Sequence, residues 1–136
     1  MKKTFLSYKY SNEDKENLDK VIKVCSILKS FDFKNYCSIF DEEKFRLEKW
    51  TGKQIMQKVF EKIDDSDIIF FLILSEVESP GTILELGYCL AKKKKLLLLI
   101  KNNVNNNIFR RQIDEVINFE NIDDLNSKLK SKYNMI

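Results

Sequence analysis

Asp67-Ile68-Ile69-Phe70-Phe71-Leu72-Ile73-Leu74-Ser75-Glu76-Val77-Glu78-Ser79-Pro80-Gly81-Thr82-Ile83-Leu84-Glu85-Leu86-Gly87-Tyr88 runs from a fully apolar segment through a polar loop into a helix start. Its seven consecutive apolar residues, Ile68 to Leu74, are too few to span a membrane and too uniform for a strand with one wet face. They predict a central parallel strand buried on both faces. A polar loop with Pro80 and Gly81 follows, then the start of a helix carrying one acid, Glu85. A helix after such a strand begins at the carboxyl edge of the sheet, where open α/β folds bind ligands. Spacing alone leaves two readings of Glu85. Thr82-Ile83-Leu84-Glu85 fits a capping box, the reading spacing favours, with Ser79-Pro80 as an alternative helix start, and an acid at this edge is also placed for chemistry.

Outward from this stretch, strands and helices alternate. Thr4 to Tyr8 reads as the first strand, Tyr36 to Phe40 as the second, Leu96 to Ile100 as the fourth and Val116 to Phe119 as an edge strand. Leu18, Val21, Ile22, Cys25 and Leu28 recur at helical spacing, predicting a helix from Asn12 to Ser30. Thr51-Gly52-Lys53-Gln54 is a capping box that opens a helix with the stripe Ile55, Met56, Val59, Phe60 and Ile63. The charged stretch from Asp41 to Trp50 shows no period and is expected to form a lid or wall. Asn102 to Asn107 is turn-forming, a short helical piece covers Ile108 to Ile113, and a last helix starts at Asp123 or Asp124. This pattern predicts a single domain, residues 1–136. Its expected architecture is an α/β flavodoxin-like three-layer sandwich around a parallel five-stranded sheet of order 2-1-3-4-5. In that order the first and third strands are neighbours, and Ser7, Tyr8 and Tyr10 converge with Ser75 through Thr82.

Composition narrows the chemistry. With 43% apolar and 33% charged residues the chain reads as an ordinary soluble globular protein, and a net charge of +3 on scattered lysines makes no case for nucleic acid or membrane. No signal-peptide pattern follows Met1-Lys2-Lys3, and Cys25, Cys37 and Cys89 include no C-x-x-C pair, so a cytoplasmic location with reduced thiols is expected. The absence of histidine is the most informative total. It excludes Ser-His-Asp and Cys-His catalysis and every histidine-based metal site, and no metal is expected. Acid–base work falls to carboxylates, Tyr, Lys, water or the substrate. Gly81 is read as giving a ligand close access to backbone, and Gly87 as letting the helix approach the sheet. Trp50 is open to stacking on a base, a subunit contact or partial burial in its loop.

Phe5-Leu6-Ser7-Tyr8 with Glu13 and Asp14, then Phe40-Asp41, Gly52-Lys53-Gln54-Ile55 and Ile63 to Asp67, resembles the sequence order of Toll/interleukin-1 receptor (TIR) domains. The segment Ser79 to Ala91 is similar to the reactive helix of nucleoside 2-deoxyribosyltransferases and nucleotide N-hydrolases, whose Glu-Leu-Gly-Tyr-like sequence carries the reactive glutamate. Two departures stand out. Pro80-Gly81-Thr82 occupies the place of a bulky aromatic in many TIR domains, and Ser7-Tyr8 differs from the deoxyribosyltransferase opening strand.

Both groups place a glutamate at Glu85, and their catalytic members break an N-glycosidic bond at C1′ of a ribose. The resemblance implies Glu85 as the catalytic carboxylate and Ser7, Tyr8, Tyr10, Asp41, Ser75, Glu78, Ser79, Gly81 and Tyr88 as substrate-binding residues. The expected substrate is NAD+, whose nicotinamide leaves as a neutral molecule without a general acid, and NAD+ is substrate rather than cofactor. The TIR likeness extends this to a nucleotide signal in anti-phage defence, read by a separate effector protein, and the likeness to both groups implies a homo-oligomer. A nucleoside 2-deoxyribosyltransferase or nucleotide N-hydrolase is the alternative, and a non-catalytic TIR-type interaction module the third reading. Glu76, Glu78 and Asp41 are the candidate acids for a leaving base.

Overall fold

A computed structural model describes residues 1–8, 15–105 and 107–133. Five parallel strands, β1 (Lys2–Ser7), β2 (Phe33–Tyr36), β3 (Ile68–Ile73), β4 (Lys95–Lys101) and β5 (Val116–Phe119), form one sheet of order β2-β1-β3-β4-β5. The helices are α1 (Lys15–Ser30), α2 (Glu42–Leu47), α3 (Gly52–Asp64), α4 (Pro80–Ala91), α5 (Ile108–Gln112) and α6 (Ile122–Tyr133).

Strand side chains alternate between the two faces. Leu6, Phe33, Phe70, Leu72, Leu97 and Leu99 pack with Val21, Val24 and Leu28 of α1 and Leu125 and Leu129 of α6. Phe5, Ile69, Phe71, Ile73, Leu98 and Ile100 pack on the other face with Val59 and Ile63 of α3, Leu86 and Cys89 of α4 and Phe109 of α5. The sheet is therefore the middle layer of three, in a flavodoxin-like arrangement. Every residue of β3 is buried, as its apolar run predicts.

Three local expectations are corrected. The second strand lies at Phe33–Tyr36, not Tyr36 to Phe40: Asp32 reverses the chain at φ 65° directly after α1, and Tyr36 already pairs with Phe5. Ser38–Asp41 then turns as a 3-10 helix, which buries Cys37 and Ile39 without strand pairing. The charged stretch before Trp50 contains α2, closed by a left-handed Lys49 (φ 54°) and a Trp50 N–H donating to Phe45 O at 2.9 Å. The Phe45 and Trp50 rings meet at 4.8 Å across this helix end, the apolar contact that accompanies such a C-terminal motif. Trp50 is thereby a helix-end anchor. Finally, Gly87 does not admit the sheet: a Cβ built there meets nothing within 4 Å.

Candidate functional site

Helix α4 starts at Pro80, with Ser79 as N-cap and proline at its first position, where a missing N–H is harmless. The Thr82–Glu85 capping box therefore does not form, and Glu85 lies in the second turn rather than at a cap. Alternation along β1 sends Ser7 to the same side as Phe5, the face covered by α4. Ser7, 1% exposed, donates its hydroxyl to Glu85 Oε1 at 3.2 Å, and Glu85 is 9% exposed. A carboxylate thus sits where the first and third strands end, joined to a residue 78 positions away in the chain.

A cleft of about 400 Å³ opens beside it at the carboxyl edge. Tyr8, Asn17, Ser75, Glu78, Ser79 and Thr82 supply its polar lining, over Leu72 to Leu74 and Phe109. Glu85 does not line it directly: the residue after its partner Ser7 and the residue one turn before it, Tyr8 and Thr82, do. Ser79 Oγ is buried and meets no hydrogen-bond partner among the described residues, although Ser79 caps the helix in the backbone sense. Ser75 Oγ accepts from Val77 N–H at 3.3 Å.

Of the residues singled out from sequence, the structure brings Tyr8, Ser75, Glu78 and Ser79 into this cleft, with Ser7 and Glu85 behind its wall. Gly81 lies half-buried in the first turn of α4. Tyr10 lies outside the described residues. Two are placed elsewhere. Tyr88 turns to α3, where it stacks on Phe60 with ring centres 4.1 Å apart and donates to the Asp64 carboxylate at 2.8 Å. Asp41 accepts from Tyr36 Oη at 2.7 Å and pairs with Lys58 at 3.1 Å, beside the start of α2. Partial burial pushes the Asp41 carboxyl up, but the bonds from Tyr36 and Lys58 outweigh it and hold the group below its ordinary value. Asp41 is therefore ionised and committed at neutral pH, and unsuited as a proton donor. Glu76 accepts from Asn105 N–H at 2.9 Å, and Glu78 is exposed on the cleft rim. Asn17 and Phe109 were not foreseen; they belong to helices whose outlines were legible but whose ends at the cleft follow only from sheet order.

Cys37 and Cys89 are not poised as nucleophiles. Burial, reinforced by the charge of Glu85, pushes Cys89 up to about 12. A hydrogen bond with Cys25 and burial hold Cys37 well above its usual value, with Glu85 adding to the effect. Among the described residues no cluster of three or more His, Cys, Asp or Glu is arranged to hold a metal, and no helix is long and apolar enough to cross a membrane. The site is a buried carboxylate, a serine that orients it and a polar cleft with one unpartnered hydroxyl.

The profile of the family described as nucleoside 2-deoxyribosyltransferase matches residues 7–124. No curated protein matches the sequence. Among solved structures, a CMP N-glycosidase of Clostridium botulinum aligns with TM-score 0.74 at 18% identity, over 96% of this chain and 99% of its own. A 2-deoxyribosyltransferase of Bacillus psychrosaccharolyticus aligns with TM-score 0.70 at 21% identity, over 91% and 90%. A conserved protein of Enterococcus faecalis follows at TM-score 0.64 and 15% identity, over 97% and 99%. At these identities the likeness is one of fold. The resemblance to TIR domains has no counterpart among these matches.

Proposed function

Because the chain belongs to the nucleoside 2-deoxyribosyltransferase family, we propose that it breaks the N-glycosidic bond at C1′ of a nucleoside or nucleotide, with Glu85 as the catalytic carboxylate. One observation carries this reading: Glu85 is a buried acid that its helix does not need as a cap, held by Ser7 at the carboxyl ends of β1 and β3. Burying a carboxylate is costly unless it is paired or hydrogen-bonded, and Ser7 supplies one such bond here. The family and the names of the two characterised structural neighbours favour nucleosides and nucleotides over NAD+.

Cleavage at C1′ develops positive charge on the sugar in an oxocarbenium-like transition state. Glu85, shielded from bulk water just behind the cleft wall, stabilises that charge electrostatically, where a fixed anion acts strongly. Ser7 restricts the carboxylate to one orientation. Ser79, with its unpartnered buried hydroxyl, and Ser75 and Tyr8 are the hydrogen-bonding groups for sugar hydroxyls, a 5′-phosphate or the base. Asp41 is removed as the proton donor to the leaving base. Glu78, on the rim, is the described carboxylate that lines the cleft and can meet that base.

Chromatography of products from CMP, cytidine, deoxynucleosides, purine nucleotides and NAD+ tests the reading, with Glu85→Gln beside the wild type. Free base from a nucleoside or nucleotide is expected, with the rate lowered at least about 1,000-fold in Glu85→Gln. Release of nicotinamide from NAD+ alone would return the substrate to the NAD+ expected from the TIR resemblance. Base release by Glu85→Gln at the wild-type rate would overturn the assignment.

A further inference from the structure

Cys25 of α1 and Cys37, the residue after β2, share the core layer between α1 and the sheet. A hydrogen bond joins their side chains. The turn at Asp32 brings them together, because it sends β2 back along the helix that precedes it. Their surroundings differ. Cys25, 8% exposed, lines a surface cavity of about 570 Å³ together with Ile22, Ser26, Asn35 and Phe40. Cys37, 1% exposed, does not line that cavity.

Asn35 makes the pair asymmetric. It lies opposite Thr4 in the β1–β2 register, and the buried Thr4 Oγ1 donates to its Oδ1 at 2.8 Å. With the amide oxygen committed to Thr4, the Asn35 amide nitrogen is the group that donates to Cys25 Sγ. Cys25 thus receives one hydrogen bond from Cys37 and a second from Asn35. The first outweighs burial, and together they hold the Cys25 thiol below its ordinary value. A cysteine that only fills core space needs neither donor. A thiolate that is reached from a cavity and touches a second thiol is the arrangement of a redox-active pair.

We propose that Cys25 and Cys37 form a redox-active dithiol that is oxidised by a small hydroperoxide and closes to a reversible disulfide. The Cys25 thiolate attacks a peroxide oxygen and the O–O bond breaks. The departing alkoxide or hydroxide takes a proton from water, leaving a sulfenic acid on Cys25. Cys37 Sγ then attacks Cys25 Sγ, and its proton leaves with the sulfenic hydroxyl as water. The peroxide has gained two electrons and the two thiols have lost them. Cys89, buried and on the other face of the sheet, stays a thiol. The disulfide ties the start of the Ser38–Asp41 turn, and so the approach to α2, to α1. The proposal does not depend on which substrate the cleft takes.

The test treats the reduced full chain with hydrogen peroxide and alkylates it in denaturant, followed by intact mass and peptide mapping. Of the three thiols, Cys89 alone is expected to take up the alkylating reagent, with Cys25 and Cys37 joined in one linked peptide. Dithiothreitol should restore all three. In Cys37→Ser, whose hydroxyl keeps a donor beside Cys25, dimedone should trap a sulfenic acid on Cys25. Asn35→Ala should slow wild-type disulfide formation at least about threefold at pH 7, through loss of thiolate. Three thiols persisting after a treatment that fully oxidises free cysteine overturn the proposal, and so does a disulfide that includes Cys89. These wild-type readouts stand whether or not the variants fold. A dimedone adduct on Cys37 in Cys25→Ser, with none on Cys25 in Cys37→Ser, overturns the order of attack.

Discussion

Glu85 is held by a residue that its own helix does not contain. The two-residue period of β1 sets Ser7 toward α4, and the sheet order makes β1 the neighbour of β3, so the hydroxyl arrives 3.2 Å from the carboxylate. The contact predicts how Ser7→Ala should behave. Loss of the donor leaves a buried carboxylate with less hydrogen bonding, at a cost of about 1–2 kcal/mol in unfolding free energy. If Ser7 orients the carboxylate without touching substrate, kcat falls about 10-fold and KM stays within about twofold. Steady-state kinetics on whichever substrate releases base, beside a chemical denaturation curve, measure both. A rise in KM at constant kcat would mean that Ser7 binds substrate instead. At this scale the position of the acid near the carboxyl edge was legible from the apolar strand before it, while spacing left open whether the acid caps the helix. Tyr88 and Asp41 were not, because side-chain direction decides them. Tyr88 lies one turn past Glu85 and faces α3, and Asp41 is taken up by Tyr36 and Lys58. Neither choice is visible in spacing.

The same four-residue motif met two fates along the chain, and the difference lies in what precedes it. At Thr51 the box forms in full: Gln54 N–H donates to Thr51 Oγ1 at 3.1 Å, and Thr51 N–H to Gln54 Oε1 at 2.8 Å. There α2 has just ended in the left-handed Lys49 and the Trp50 anchor, so the chain must start a new helix. At Thr82 the proline two residues earlier has already begun one. A capping pattern therefore reports a helix start only when no stronger start lies just upstream. The joint between α2 and α3 yields paired expectations of opposite sign. Thr51→Ala should cost about 1 kcal/mol by removing the cap. Lys49→Gly should gain about 0.5–1 kcal/mol, because its exposed side chain is held at φ 54° where glycine is less strained. Urea denaturation of the two single variants checks the signs, and a Lys49→Gly chain less stable than the wild type would show that the lysine stem has a packing role.

Across the whole molecule, sheet order and layering were legible because β3 is apolar throughout and the flanking elements alternate. Fixing α6 on its face of the sheet takes long-range contacts that no local pattern announces. Tyr133, in the last turn of α6, is such a contact. Its ring meets Phe33 of β2 at 5.1 Å edge-on, Phe31 at 6.0 Å and Phe70 of β3 at 6.3 Å, tying the end of the described chain to the first half of the sheet. The hydroxyl gains nothing there: it is buried with no hydrogen-bond partner among the described residues. Burial, assisted by the charge of Glu115, pushes its pKa from 10.0 up to about 12. Raising an acid's pKa favours its neutral form in the folded state. The unfolded chain then ionises first as pH rises through 10, and stability from this group is lost between about pH 10 and pH 12. Below pH 10 both states are protonated and the ionisation contributes nothing. Tyr133→Phe keeps the ring contacts while removing the unpartnered hydroxyl. It should be neutral to about 1 kcal/mol more stable at pH 7, since a buried hydroxyl without a partner is a net cost. Its advantage over the wild type should widen above pH 10. Guanidinium denaturation at pH 7 and at pH 11 measures the two differences. A variant that is less stable at pH 7, or whose advantage does not grow with pH, would show that the hydroxyl is bonded in solution and that α6 is held by more than its aromatic face.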